Sequence, residues 1–445
     1  MNRATLFLAA ALSLPLAACG ADHRVVREAA ARTPDAAPAA EAQAQARLPQ
    51  CDRDNGGLTL PPGFCALIVA QGLGGIRHVA VAPNGDIYLG TQGRRGSQVG
   101  VVALRDTTGD GKADVTERFY DRGGTGIEIS GGWLYFSPDS GVVRWRMPQG
   151  RLVPAGQPQT IVWGLPTGGH TAKSMALDGR GALFVNVGSR TNACQAQDRQ
   201  VGAPGTDPCT ELNTRAGTWR FDANRPNQTQ ARGERWATGV RNGLALAWNP
   251  GVGALYAVSH GRDQLGPSPN FNDQANAELP AEELFRLDRG TDGGWPYCFY
   301  DGRRNVKVLA PEYGGDGRQV GRCAGKARPV VAFPAHWAPN DLLWYTGAQF
   351  PARYRGGAFV AFHGSWNRAP LPQQGYRVAF VPFRGAQPAG QFETFADGFA
   401  GGSPQPGTAP HRPTGLAQGP DGSLYVADDA GGTLWRIVYR GTAGR

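Results

Sequence analysis

His170 follows Gly168-Gly169, which leaves its approach open, and precedes Thr171-Ala172-Lys173 at the start of an apolar segment. With a reference pKa of about 6.5, a histidine so placed can be neutral at working pH and take a proton from a hydroxyl. The plain alternative is a loop histidine bonded to backbone. Arg241-Asn242, in GVRNG, sets a fixed cation beside an amide, a pairing suited to carboxylate or carbonyl oxygens of a ligand. An ion pair internal to the fold is the competing reading. Arg77, Arg368 and Arg412 repeat the theme elsewhere, and cations converging on one site favour a multiply anionic ligand. The insertion from His260 to Glu283 carries Asp263, Asp273, Glu282 and Glu283 among amides, an oxygen-rich composition that suits Ca²⁺. A second stretch, DTTGDGKADVTE from Asp106 to Glu117, follows EF-hand order with Gly111 at the turn, but Thr108 replaces an expected Asp or Asn. Its flanks read as strands, so a peripheral Ca²⁺ site and a solvated turn both stand.

The elements that must position these residues are hairpins. HVAVAPNGDIYLG (His78 to Gly90) and GLAQGPDGSLYVADD (Gly415 to Asp429) each join two apolar strands by an Asn-Gly or Asp-Gly turn. Looser copies begin at Ile127, Lys173, Asn242 and Asp341. A strand pair cannot bury its own face alone, and recurrence at roughly 40 to 80 residues suits propeller blades with long insertions. The expectation is an all-β fold, a six-bladed β-propeller of four-stranded antiparallel blades. GGIRH, GGHTAK, GVRNG and HRPTG each precede the first strand of a repeat and SHGRD follows a second strand, which gathers four of them on one rim.

Composition agrees: 65 Gly, 34 Pro, 11 Trp and 12 Tyr in 445 residues suit strands and loops. The net charge of +9 comes from scattered arginines, and no basic run or recognition motif accompanies it, so nucleic acid is not an expected partner. Asn2 and Arg3 precede an apolar stretch, Thr5 to Ala18, too short to span a bilayer, and residues 1–18 read as a signal peptide. Leu16-Ala17-Ala18-Cys19 resembles the bacterial lipoprotein box, making Cys19 a lipidation site. Residues 19–50, rich in Ala, Gln, Glu and Pro, read as a lipid-anchored flexible tether, 51–440 as the propeller and 441–445 as a tail. Without Cys19 six cysteines remain; proximity favours Cys51 with Cys65, Cys194 with Cys209 and Cys298 with Cys323, one of fifteen pairings.

Together the segments GGHTAKSMALDGRGALFVNVGSRTN, GVRNGLALAWNP, AEELFRLDRGTDGGWPYC, FHGSWNR and HRPTGLAQGPDGSLYVADD resemble the soluble PQQ-dependent sugar dehydrogenases, the glucose/sorbosone dehydrogenase family, with GGWPYC and HGSWNR nearest the sorbosone and pyranose branch. The resemblance runs from about Cys65 to Tyr439. It implies a six-bladed propeller that binds pyrroloquinoline quinone (PQQ) over its channel with Ca²⁺ against the quinone. It makes His170 the base for the sugar C1 hydroxyl and puts Arg241 and Asn242 beside the quinone oxygens. Gly261 and Arg262 become carbonyl ligands of Ca²⁺, with Asp263 beside them, and Glu282 an acidic position near the cofactor. Arg77, Lys173, Arg368 and Arg412 are further cofactor contacts. The lysine of the glucose-oxidising branch falls near Thr346. The implied partners are an aldose, pyranose or sorbosone-type sugar and an external electron acceptor. Gly20 after Cys19 is not the Asp that retains lipoproteins at the inner membrane, so the resemblance places the chain at the outer membrane, facing the periplasm. The rivals are a Ca²⁺-dependent propeller hydrolase of the lactonase type, which needs several side-chain oxygens in the channel, and a non-catalytic scaffold propeller, which needs none of these residues.

Overall fold

The computed structural model describes residues 48–93, 99–147, 149–266 and 270–441. The described residues belong to one compact unit, Leu48–Arg445. The signal peptide, Cys19 and nearly all of the tether lie outside the described residues.

Six antiparallel sheets make six blades. Blade one is Ile76–Val81, Ile87–Thr91, Gly100–Arg105 and Val115–Phe119; blade two is Gly124–Ser130, Trp133–Pro138, Val142–Arg146 and Gln159–Val162. Blade three is Met175–Leu177, Ala182–Val187, Gly217–Asp222 and Glu234–Thr238, and blade four is Ala245–Asn249, Ala254–Ser259, Glu282–Leu287 and Val331–Phe333. Blade five is Pro339–Trp344, Ala358–Phe362, Arg377–Val381 and Glu393–Ala396. Blade six takes Pro413–Gln418, Leu424–Asp428 and Leu434–Tyr439, and its outer strand, Phe64–Ala70, comes from the start of the propeller. Phe64 pairs with Tyr439 and Ala70 with Leu434, so the two ends close the ring and leave no free seam. Blade three departs from the expected four strands: Thr291–Asp292, from the blade-four insertion, adds a short parallel segment against Glu234–Thr238.

Alternation decides the packing, since successive strand residues face opposite sides of a sheet and here both sides meet another blade. Tyr88 packs toward blade two with Leu134 and Phe136, whereas its neighbours Ile87 and Leu89 pack toward blade six with Tyr425 and Ala427. The same division recurs between blades two and three, three and four, four and five, and five and six. The hairpin turns behave as their sequences require: Gly85 of the Pro-Asn-Gly turn has φ 91° and Gly422 of the Pro-Asp-Gly turn φ 85°.

All three proximity-based disulfides form, Cys51–Cys65, Cys194–Cys209 and Cys298–Cys323. The last two lie in the long insertions of blades three and four, where Trp295 Nε1 donates to Asn192 O at 2.9 Å and Tyr313 Oη to Ala193 O at 3.1 Å. The insertions are thereby fastened to each other. The Asp106–Glu117 stretch is the loop between the third and fourth strands of blade one. Asp106 accepts from the amides of Thr108, Gly109 and Gly111, Asp114 accepts from Thr107, and Glu117 lies on the outer strand opposite Ala103. The Asp106 and Asp114 carboxylates thus serve the turn itself.

Candidate functional site

The inner strands of blades one, two, five and six each carry a register irregularity near their first residues, between Ile76 and Val79, Gly124 and Ile127, Pro339 and Asp341, and Pro413 and Gly415. Such bulges re-aim side chains at a sheet end. Arg77 and Asn340 fall in them, Arg412 immediately precedes the last, and all three line one cleft of about 420 Å³. His170, Arg241, Asn242, Gly261, Asp263 and Glu282 line the same cleft. Residues from blades one, three, four, five and six therefore meet at one mouth, as the rim argument requires.

His170 is fixed through one ring nitrogen. Nδ1 lies 2.9 Å from Ser189 O and 3.0 Å from Ser189 Oγ; Ser189 Oγ donates onward to Thr191 O, and a donated Nδ1–H leaves Nε2 as the acceptor. Gly188 makes this seat possible, because a Cβ there would stand 2.6 Å from the His170 Cβ. Burial, and then the Arg241 charge, push the His170 imidazolium down to about 3, so the imidazole is neutral and able to accept a proton.

Arg241 is buried and held at every nitrogen: Nε by Asn192 O (3.2 Å), Nη1 by Gly261 O (2.9 Å), and Nη2 by Asn192 Oδ1 (3.0 Å) and Asp263 Oδ2 (3.1 Å). Asp263 also receives Arg199 Nη2 at 2.8 Å and Asn367 Nδ2 at 2.9 Å. Burial alone would raise its pKa, but Arg241 and Arg199 hold it down to about 2. Asp263 is thus the anchor of two arginines. Glu282 Oε2 accepts from Gly261 N at 2.6 Å and Oε1 from Ala338 N at 3.0 Å, tying blade four to blade five, while burial pushes its carboxyl up to about 8. Ala338 and His336, both at the cleft, take positive φ of 58° and 65°, which non-glycine residues seldom adopt and which clusters at functional sites.

Three sequence-derived candidates are placed elsewhere. Lys173 is fully buried between blades two and three, where its Nζ donates to Thr171 O; burial lowers it to about 8. Arg368 is spent on the carbonyls of Ala277, Ala335 and Pro372, which bind the short helix Asp273–Glu278 to blade five. The Arg262 side chain turns away to a buried ion pair with Glu312, and Arg262 does not line the cleft, although its neighbours Gly261 and Asp263 do. Thr346 lines the opposite mouth of the channel, with Glu128, Asp341 and His78. Conversely, Arg199, His260, His336, Asn340, His363, Trp366 and Asn367 line the cleft and were not singled out. His260 and His363 lie in SHGRD and HGSWNR, where the arginine is the stronger anion-binding signal.

Four guanidinium groups, of Arg77, Arg199, Arg241 and Arg412, therefore surround neutral imidazoles. Arg77 Nε is buried without a hydrogen-bond partner, an open donor in a cationic cleft. A planar polycarboxylate of PQQ type fits such a lining and volume. For a hard cation the cleft offers the buried, unpartnered Asn367 Oδ1 and, shared with Arg241 Nη1, the Gly261 carbonyl, whereas the Asp263 carboxylate is already saturated by cations and an amide. Among the described residues no group of three or more His, Cys, Asp or Glu side chains is arranged to hold a metal, so a cation here relies on neutral oxygens.

The profile of one family, TrAA12-like, matches residues 58–440. The chain belongs to the TrAA12-like family. The described propeller and its cleft lie almost wholly within that match. The TrAA12-like chain is 29% identical over 235 residues to the pyrroloquinoline quinone-dependent pyranose dehydrogenase of Coprinopsis cinerea, covering 45% of this chain and 30% of that protein. It is 27% identical over 187 residues to the aldose sugar dehydrogenase YliI of Escherichia coli K12, covering 42% and 43%. The chain thus spans less than half the length of either of these curated relatives. Its fold is similar to the holo form of the pyranose dehydrogenase PQQ domain from Coprinopsis cinerea, with TM-score 0.70 and 19% identity over 86% of this chain and 97% of that one. It is equally similar to a calcium structure of the Trichoderma reesei family AA12 enzyme, with TM-score 0.70, 18% identity and the same coverage.

Proposed function

We propose that this TrAA12-like propeller is a PQQ- and Ca²⁺-dependent dehydrogenase that oxidises an aldose, pyranose or sorbosone-type sugar. The observation that carries the reading is the cleft itself, where four arginines, one with an open buried donor, surround the neutral base His170. Family membership and the names of the relatives point the same way.

In this reading Arg77, Arg199, Arg241 and Arg412 would hold the carboxylates of the quinone, with Asn242 and Arg241 toward its carbonyl oxygens. Gly261 and Arg262 would offer backbone carbonyls to Ca²⁺, the Gly261 oxygen shared with Arg241 Nη1. The quinone, when bound, supplies the two-electron acceptor and Ca²⁺ polarises its carbonyl. The protein supplies the rest. His170 Nε2 takes the proton of the sugar hydroxyl as the adjoining C–H hydrogen leaves with its electron pair, and Ser189 keeps the ring in the accepting tautomer. An anionic ligand also offsets the Arg241 charge that otherwise penalises protonated His170. The saturated Asp263 and the amide-bound Glu282 disfavour the hydrolase alternative, which relies on free side-chain carboxylates. Export with lipid anchoring at Cys19 and residence at the outer membrane, facing the periplasm, belong to the same proposal, and three disulfides suit an oxidising compartment.

The test is titration of the purified protein with PQQ and Ca²⁺ while dye reduction is followed with a panel of aldoses. Cofactor-dependent reduction is the expected result. Folded protein that binds no PQQ in the presence of Ca²⁺ overturns the reading.

A further inference from the structure

His363 follows the second strand of blade five and Asp429 the second strand of blade six. His363 Nε2 lies 2.7 Å from Asp429 Oδ1, and Arg77 Nη1, from blade one, lies 3.0 Å from Asp429 Oδ2. The three side chains are only 15%, 10% and 13% exposed. A carboxylate fixed from both sides accepts Nε2–H and leaves the lone pair of His363 on Nδ1, which has no hydrogen-bond partner among the described residues. His363 lines the same cleft as His170.

The two histidines differ in what stands behind them. His170 leans on a neutral carbonyl and hydroxyl and faces Arg241, so it accepts a proton but is poorly equipped to keep one. His363 leans on a carboxylate, and an anion behind an imidazole stabilises the imidazolium that forms, as in catalytic triads. The charged and titratable groups facing it are Asp429 and Arg412 from blade six, Arg77 from blade one and His260 from blade four. Burial lowers its pKa and Asp429 opposes that, so it rests neutral and ready to accept.

We infer that the His363–Asp429 pair is a second acid–base group of the cleft, working after His170 as the acceptor that holds the proton released by the substrate. The inference rests on the dehydrogenase reading. In the first half of each turnover the substrate C–H hydrogen leaves with its electron pair for the quinone, the O–H bond breaks toward His170 and a C=O bond forms. The hydroxyl proton then moves through the cleft to Nδ1 of His363 before reaching solvent, and the hydrogen taken as hydride is given up later as a second proton when the external acceptor takes the two electrons. A ligand filling the cleft excludes bulk water, which is when a fixed acceptor matters.

His363→Gln is the decisive variant, because its amide still donates to Asp429 while the basic nitrogen is gone. With PQQ- and Ca²⁺-loaded protein, steady-state turnover should fall about 10²-fold, the low end for a positioned acid–base group, and fall more than the rate of the first turnover in stopped flow. The acidic limb of the kcat profile should change with it, and PQQ affinity should hold. Independently of activity, ¹⁵N NMR of the ligand-free protein should show His363 protonated at Nε2; protonation at Nδ1 overturns the inference. Active wild type with unchanged steady-state turnover in His363→Gln overturns this inference alone. Wild type that reduces no dye with any sugar removes the dehydrogenase reading, and this one with it.

Discussion

Asp263 Oδ2 lies 3.1 Å from Arg241 Nη2, and the same oxygen lies 2.8 Å from Arg199 Nη2, so one carboxylate sets the position of two of the four cleft arginines. The Arg241 side chain is 4% exposed and that of Asp263 14%. In Asp263→Ala, Arg241 is left as a buried cation without its anion, a change that costs about 3–5 kcal/mol, whereas loss of an exposed pair costs at most about 1 kcal/mol. Urea unfolding at neutral pH should show the larger figure. A loss within the exposed-pair range would mean that Arg241 finds water or another acceptor and is not anchored as described.

Glu128 sits on the inner strand of blade two at the far mouth of the channel, where burial, and more weakly the Asp341 charge, push its carboxyl from 4.5 up to about 8. Between those values the folded protein holds a proton that the unfolded chain has lost. Its contribution is therefore fully present below pH 4.5 and lost as pH rises through 8, so stability falls across that window. In Glu128→Gln the carbonyl oxygen can still accept from Leu177 N, and the amide does not titrate. The variant should show a flatter stability–pH curve between pH 5 and about 8 by thermal unfolding. An unchanged slope would place the titration on another group.

Much of this architecture was legible because its determinants are local. The Pro-Asn-Gly and Pro-Asp-Gly turns announce positive φ at Gly85 and Gly422, and alternating apolar residues announce strands buried on both faces. The disulfides were legible for the same reason, each closing a short loop. Side-chain direction was not. Arg368 and Arg412 both lie in segments joining blade strands and read alike, yet Arg368 is drawn to a carbonyl of a short helix and Arg412 to His363 O and Gly364 O at the cleft. Arg199 lies in an insertion without repeat character and reaches the cleft only because Asp263, distant in sequence, attracts it. His363 acquires its chemistry from Asp429 in the next blade, a contact that the packing of neighbouring blades creates and no spacing announces.

The Cys194–Cys209 bridge spans a sequence separation of 15, a loop for which chain entropy contributes about 3 kcal/mol. It also braces the segment bearing Asn192, whose backbone and side-chain oxygens hold Arg241. The paired Cys194→Ala/Cys209→Ala variant should therefore lose both stability and PQQ affinity. The Cys51–Cys65 bridge, with a separation of 14, pins the outer strand of blade six instead. Its removal should lower stability comparably and leave PQQ affinity unchanged. Calorimetric binding on both variants checks this, and equal affinity losses would mean that the effect is global loosening.

His170→Ala removes the base and keeps the arginines, so turnover should fall about 10²- to 10⁴-fold while PQQ still binds. Unchanged turnover in the reconstituted variant would end the assignment of His170. The ligand-free protein offers a second readout. Burial, and then Arg241, hold His170 from its ordinary 6.5 down to about 3. Below 6.5 the unfolded chain takes up a proton that the folded protein refuses, so this histidine makes stability fall as pH drops through that window toward about 3. His170→Ala lacks that share and should lose less stability on acidification than wild type. If its acid unfolding instead superimposes on that of the wild type, the imidazole is exposed to solvent, and the neutral, ready base assigned to the cleft does not exist.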